Sequence, residues 1–223
     1  MSITHIAFDL DGVLFTSEDF IADSYRAAVE KSGLNLPVPS KQKILTQFGM
    51  PGKVIMKNLF GDLSERDINT LRRYLIENIV ENVKSGGGCL YEGIEIVLEI
   101  LSHKYTLALC SNGNEDYLNA VLEYKKIKKY FLPLLTLNNT GCTNKPGLLK
   151  EYIIAAETED RNWIMTGDRS SDLEAAQKNE CYFIGCLWGF GNAAELEGAD
   201  EVIAKPPEIL DAVKKIENLT FPG

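Results

Sequence analysis

Ile3-Thr4-His5-Ile6-Ala7-Phe8-Asp9-Leu10-Asp11-Gly12 is the stretch on which the reading of this chain turns. Its short apolar run stops abruptly at two acids and a glycine, the pattern of a buried strand running into a turn. The sequence that follows has a different texture. Between Glu18 and about Val83 the apolar residues recur at helical spacing, as in Ile21, Tyr25, Ala28 and Val29. Ser40 to Phe48 and Lys53 to Phe60 read as two short helices, and Ser64 opens a long one with Leu71, Leu75 and Ile79 on one face. Ser64 followed by Asp67 has the form of a capping box. This helical block stops at Ser85-Gly86-Gly87-Gly88, the most flexible run in the chain.

Beyond the glycines strands and helices alternate. Strands are expected at Tyr105–Cys110, Trp163–Thr166, Tyr182–Leu187 and Val202–Ala204, with an edge strand at Leu132–Leu137. Helices are expected at Ile94–Leu101, Tyr117–Tyr124, Leu148–Ala156, Asp172–Lys178 and Pro207–Ile216. Alternation of this kind predicts a doubly wound, Rossmann-like α/β core with a parallel sheet covered on both faces. The expected division is a core from residues 1–15 and 88–223, and an inserted all-helical unit from residues 16–87.

The chain has 223 residues, 45% of them hydrophobic and 25% charged, an ordinary globular composition. A chain of this length buries roughly 70% of the surface its unfolded form exposes, so it needs no staples. Lys+Arg 23 against Asp+Glu 32 leaves a net charge of -9, which offers no basic stripe for nucleic acid. Met1-Ser2-Ile3-Thr4-His5-Ile6 lacks the basic and apolar regions of a signal peptide, and no apolar run approaches the ~18 residues of a membrane span. The expectation is a cytoplasmic protein whose cysteines (Cys89, Cys110, Cys142, Cys181, Cys186) are reduced and mostly in the core. An acidic protein that binds an anion needs a cation or local donors to do so.

In parallel α/β sheets ligands bind at the carboxyl ends of the strands. Three expected strands end there in polar clusters: Asp9-Leu10-Asp11-Gly12, Ser111-Asn112, and Gly167-Asp168-Arg169-Ser170-Ser171-Asp172. A fourth piece, Asn144-Lys145-Pro146-Gly147, precedes a helix. Singly, each has a plain structural reading as turn chemistry, a cap or a solvated loop. Together they converge acids, a hydroxyl and a lysine on one sheet edge.

With these four clusters the sequence resembles the haloacid dehalogenase superfamily, in its phosphohydrolase branch with a helical cap, the branch of phosphoglycolate phosphatase and beta-phosphoglucomutase. Phe8-Asp9-Leu10-Asp11-Gly12-Val13-Leu14 is similar to the first family motif and Cys110-Ser111-Asn112-Gly113 to the second. Lys145-Pro146 matches the third, and Gly167-Asp168 through Asp172 the fourth. The resemblance implies Asp9 as nucleophile and Asp11 as general acid and base, an acid that the dehalogenases lack. It implies Mg2+ held by Asp9, the Asp11 main-chain carbonyl and Asp168, with Asp172 as a further ligand or support. Ser111 and the Asn112 amide would hold phosphoryl oxygens, and Lys145 would neutralise charge in transit.

The implied activity is hydrolysis of a small phosphorylated metabolite through an aspartyl-phosphate. A phosphomutase of the beta-phosphoglucomutase kind and a non-catalytic phosphate-binding module are the alternatives. No nucleic-acid or membrane partner is expected, and the assembly expected is a monomer or weak dimer. The cap would hinge near Phe15-Thr16-Ser17 and at Gly86-Gly87-Gly88, closing to exclude water. Gly49-Met50-Pro51-Gly52-Lys53 is either a plain helix-helix turn or the place where Lys53 meets the leaving group or a second anionic group. His5 and His103 are isolated, Trp163 and Trp188 read as core, and Trp188-Gly189-Phe190-Gly191 reads as a structural turn.

Overall fold

The computed structural model describes residues 2–220. Five parallel strands form the central sheet: β1 (His5–Phe8), β4 (Thr106–Leu109), β5 (Trp163–Gly167), β6 (Tyr182–Cys186) and β7 (Glu201–Ile203), in the order β4-β1-β5-β6-β7. Chain order leaves β1 for β4 on one side and then crosses to β5 on the other. The β1–β5 pair is therefore the switch point, where α/β sheets open a crevice.

Alternation along β1 explains the two cores. Ile6 and Phe8 face one layer with α5 (Ile94–Ser102), α6 (Glu115–Tyr124) and α10 (Ile209–Thr220). Ala7 faces the other with α8 (Lys145–Ala155) and α9 (Ser170–Lys178), whose Leu148, Tyr152 and Ala176 pack on Trp163, Met165 and Phe183. Strands buried on both faces require near-continuous apolar runs, which these have.

Between β1 and β4 the chain builds a helical layer from α1 (Ile21–Ser32), α2 (Lys41–Leu45), α3 (Gly52–Phe60) and α4 (Glu65–Lys84). It has its own apolar centre of Ile21, Tyr25, Val29, Ile44, Met56, Leu71 and Leu75. Two crossings join it to the sheet, and they pair as a short antiparallel ribbon that the periodicity gave no sign of. In it β2 (Phe15–Thr16) lies against β3 (Cys89–Leu90). A further short helix, α7 (Leu137–Thr140), precedes α8.

Four local expectations are corrected. Leu132–Leu137 forms no strand: Phe131 makes one bridge to Leu107 and the segment then runs free of the ladder. The Leu135 amide donates instead to the Tyr152 hydroxyl at 2.8 Å, so past Leu132 the backbone is satisfied by a side chain of α8 rather than by β4. Ser64 caps α4 by accepting from the Asp67 amide at 3.2 Å, but Asp67 answers with a carboxylate–hydroxyl contact at 2.7 Å, so only half of a capping box forms. The glycine run is pinned, because Lys125 Nζ donates to the carbonyls of Gly86, Gly87 and Gly88 at 3.3, 2.9 and 2.7 Å. The Gly88 amide also donates to the Asp19 carboxylate. Gly88, at φ 66°, faces the Phe15 ring so closely that a side chain there would collide with it. Finally, all five cysteines are free but only Cys110 and Cys186 are buried, while Cys89 is exposed.

Candidate active site

Register carries the ends of three strands to one place. Phe8 is level with Leu109 on one side and with Thr166 on the other. The ladder continues one step further, with Asp9 N donating to Thr166 O at 3.0 Å and Cys110 N to Phe8 O at 2.8 Å. Asp9, Ser111 and Asp168 thus leave the sheet side by side.

Lys145 opens α8, with Asn144 capping the helix by accepting from the Gly147 amide at 2.9 Å. Its side chain is 1% exposed and enters the site between two carboxylates. Its Nζ is 2.5 Å from Asp172 Oδ1 and 2.9 Å from Asp9 Oδ2, the latter contact lying off the hydrogen-bond direction. Burial would push a lone ammonium toward the neutral form, but Asp172 and Asp9 reverse this and hold the lysine charged. An unpaired charge in such a place would cost several kcal/mol.

Asp9, Asp168 and Asp172 each offer an oxygen within 4.8 Å of the others, all three residues being buried. Asp9 Oδ1 accepts from the Leu10 amide at 2.8 Å. Asp168 Oδ2 accepts from the amides of Phe190 and Gly191 at 2.6 and 3.3 Å, whereas its Oδ1 is buried without a partner. Asp172 is fully engaged: Oδ2 accepts from the amides of Asp168 and Arg169 at 3.1 and 3.0 Å, and Oδ1 faces Lys145. The geometry accordingly makes Asp172 a support for the loop and the lysine, with Asp168 Oδ1 the open ligand atom. Burial, with Asp172 and Asp9 adding to it, pushes the Asp168 carboxyl up to about 8. Three acids against one lysine leave an excess of negative charge that a divalent cation would satisfy.

Glycines make this density possible. A side chain at Gly12, whose φ is +83°, or at Gly189 would run into the Asp168 carboxylate, and one at Gly167 into Asp172. The Trp188-Gly189-Phe190-Gly191 turn, legible in sequence only as structural, wraps Asp168 and supplies its donors. Trp188 anchors that turn by donating from Nε1 to Val13 O at 3.2 Å.

Asp11 is half-buried and takes a hydrogen bond from the Tyr117 hydroxyl at 2.5 Å. Burial raises its carboxyl to about 7, with the tyrosine opposing and Asp9 adding to the rise. Tyr117 sits in the first turn of α6, and nothing in the sequence marked it. Ser111 is buried after β4, its Oγ accepting from the Gly113 amide at 3.2 Å. Asn112 Nδ2 donates across to the Gly49 carbonyl at 2.8 Å. Arg169 Nη1 likewise donates to the Phe48 carbonyl at 2.8 Å, while its Nε pairs with Glu195 at 2.9 Å. Phe48 also packs edge-on against Phe190, with ring centres 4.5 Å apart. The turn before α3 is therefore tied to the core beside the acids.

Between the core and the helical layer lies a cavity of about 540 Å³. Asp9, Asp11, Ser111 and Asn112 line its core end, and Lys53 lines its helical side, joined there by Arg72, which sequence reading missed. His5 stacks on Trp163 at 4.4 Å and is absent from both the acidic group and the cavity lining. Among the described residues no helix is long and apolar enough to cross a membrane.

The site this fold presents is a group of buried carboxylates at a sheet switch point, faced by a lysine and roofed by a helical layer. The chain belongs to the haloacid dehalogenase-like hydrolases, whose family model matches residues 6–186. A phosphoglycolate phosphatase of Vibrio parahaemolyticus is 26% identical over 224 residues, covering 93% of this chain and 95% of its own. A phosphoglycolate phosphatase of Aquifex aeolicus is 27% identical over 190 residues, covering 83% and 85%. Among solved structures, a phosphoglycolate phosphatase assigned by prediction from Haemophilus somnus 129PT superposes with TM-score 0.84 at 22% identity, covering 95% of this chain and 98% of its own. CbbY of Rhodobacter sphaeroides, solved with phosphate, gives 0.82 at 17%, covering 96% and 100%. Identities this low speak for the shared fold.

Proposed function

We propose that the chain is a phosphomonoesterase acting on a small phosphorylated metabolite, with Asp9 as nucleophile and Asp11 as acid and base. The observation that carries this reading is the pairing of two carboxylates on one cavity floor with opposite partners: Asp9 against a lysine, Asp11 against a hydroxyl. Lys145 faces the Asp9 carboxylate at the place of attack, while burial, opposed by the Tyr117 hydroxyl, brings the Asp11 carboxyl to about 7, where it can change protonation. The relatives named phosphoglycolate phosphatase support the same reading.

The partnerless Asp168 Oδ1 fits a hard divalent cation, and Asp9, Asp168 and the main-chain carbonyl of Asp11 are the groups that would hold Mg2+. Bound magnesium supplies the positive charge that lets a phosphate dianion approach a carboxylate. Ser111 and the Asn112 amide hold the phosphoryl oxygens, and Lys145 stabilises charge as it moves. The Asp9 carboxylate attacks phosphorus, the bond to the leaving alcohol breaks, and Asp11 gives that oxygen its proton. Asp11 then takes a proton from water as the water attacks the acyl-phosphate, releasing inorganic phosphate and restoring Asp9. The helical layer acts as a cap that excludes bulk water.

Phosphate release from a panel of phosphorylated sugars, glycolate phosphate, nucleotides and pyrophosphate, with and without Mg2+, tests the reading. Turnover should appear on at least one monoester, vanish with chelator, and fall by at least about a thousandfold in Asp9→Asn. Unimpaired turnover by folded Asp9→Asn protein overturns it.

A further inference from the structure

We infer that the alcohol released from this site is an apolar body, longer than two carbons, that carries a second anionic group held by Arg72 and Lys53. The inference rests on the phosphomonoesterase reading and names its substrate class.

Three features of the cavity carry it. The first is the division of its lining. Groups suited to the transferring phosphoryl lie at the core end, whereas Ile21, Tyr25, Met50, Ile76 and Ile79 make the opposite wall aliphatic and aromatic. Against such a wall, whose one polar side-chain group is the Tyr25 hydroxyl, a polyhydroxylated leaving group would lose more water than it regains in hydrogen bonds.

The second is charge. In a chain of net charge -9, the only acids lining this cavity are Asp9 and Asp11, and the helical side presents Lys53 and Arg72. Neither cation has an ion pair or hydrogen bond among the described residues. The contrast within α4 is informative: adjacent Arg73 turns outward and pairs with Glu77 at 3.1 Å, while Arg72 turns inward and is left unpaired. Its guanidinium lies against Gly52, where even a methyl group would come within 3.3 Å of it. Half-buried and aimed at the cavity, a planar fork of donors is suited to a carboxylate or phosphate.

The third is size and spacing. The α4 residues facing the cavity are Arg72, Leu75, Ile76 and Ile79, one helical stripe with the cation at its far end. Ile79 also packs on the core cluster, so the stripe starts at the core and reaches Arg72 after seven residues. At about 1.5 Å per residue that is roughly 10 Å of apolar wall. The cavity of about 540 Å³ lies within the roughly 300–1,000 Å³ of pockets that hold drug-sized ligands. A two-carbon hydroxy acid leaves most of that wall uncovered.

Steady-state kinetics on phenyl phosphate, 4-carboxyphenyl phosphate and phosphoglycolate test this. Wild-type kcat/KM should be at least about tenfold higher for the carboxylated aryl ester than for phenyl phosphate, and higher than for phosphoglycolate. The carboxylate-over-phenyl ratio should collapse at least about tenfold in Arg72→Gln and recover only in part in Arg72→Lys, which restores the charge without the planar fork. Should Arg72→Gln fail to fold, Lys53→Ala, at an exposed position, reads the same ratio and should lower it. Hydrolysis of all three esters with no carboxylate preference, or with phosphoglycolate favoured, overturns the substrate class and leaves the phosphomonoesterase standing. Hydrolysis of none of these or of the wider panel fails the parent reading instead.

Discussion

Burial sets the proton affinity of Asp11, and Tyr117 works against it. Its hydroxyl donates to Asp11, which favours the carboxylate, while burial and Asp9 favour the acid, and the balance falls at about 7. Tyr117→Phe removes the one hydrogen bond that lowers this value. The Asp11-dependent limb of the kcat/KM profile should therefore move to higher pH, and an unmoved limb would separate Tyr117 from the proton transfer. Asp168 obeys a different sign. Its carboxyl is raised from 3.8 to about 8, so the native state binds a proton that the unfolded state has already lost. Stability from this residue is full below about 4 and declines as pH rises toward 8. Mg2+ needs the ionised form. The rise in Tm on adding Mg2+ should be larger at pH 8.5 than at pH 5.5, as thermal unfolding at the two pH values would read.

Among elements, the ties between the helical layer and the core matter most. Asn112 and Arg169, each within a loop that carries site residues, capture consecutive carbonyls of Gly49 and Phe48. A hydrogen bond from a charged donor contributes about 1.5–3 kcal/mol. Arg169→Ala should accordingly lower kcat/KM by about tenfold or more, and limited proteolysis should cut the 46–52 turn faster. Lys125 plays a comparable part at the crossing, satisfying three glycine carbonyls at once. Lys125→Met should destabilise the fold by about 1–3 kcal/mol in urea unfolding, since those carbonyls lose their shared donor. Asp9, Asp11, Ser111, Lys145, Asp168 and Asp172 could be read from sequence because each stands where a strand stops or a helix starts. Tyr117, Arg72 and Arg169 could not, because the direction of a side chain on a helix or turn is decided by what packs against it. The ribbon of β2 and β3 was hidden for another reason: two residues are too few to show a period, and it exists only because both crossings pass the same point.

At the scale of the molecule, the sheet fixes positions and the helical layer fixes the shape of the space above them. The α/β architecture was legible because its strands are buried on both faces and its helices carry one apolar stripe. The false strand at 132–137 shows the limit, as apolar residues packed along a sheet edge imitate a strand although the Leu135 amide bonds the Tyr152 hydroxyl and not β4. The ties to the 48–49 turn have a lasting consequence. Both donors are core side chains and both acceptors belong to the backbone, so the union is indifferent to which side chains the turn displays. Substitutions can therefore recast the chemistry the turn displays while both bonds persist, leaving that surface free to drift independently of the acids beneath it.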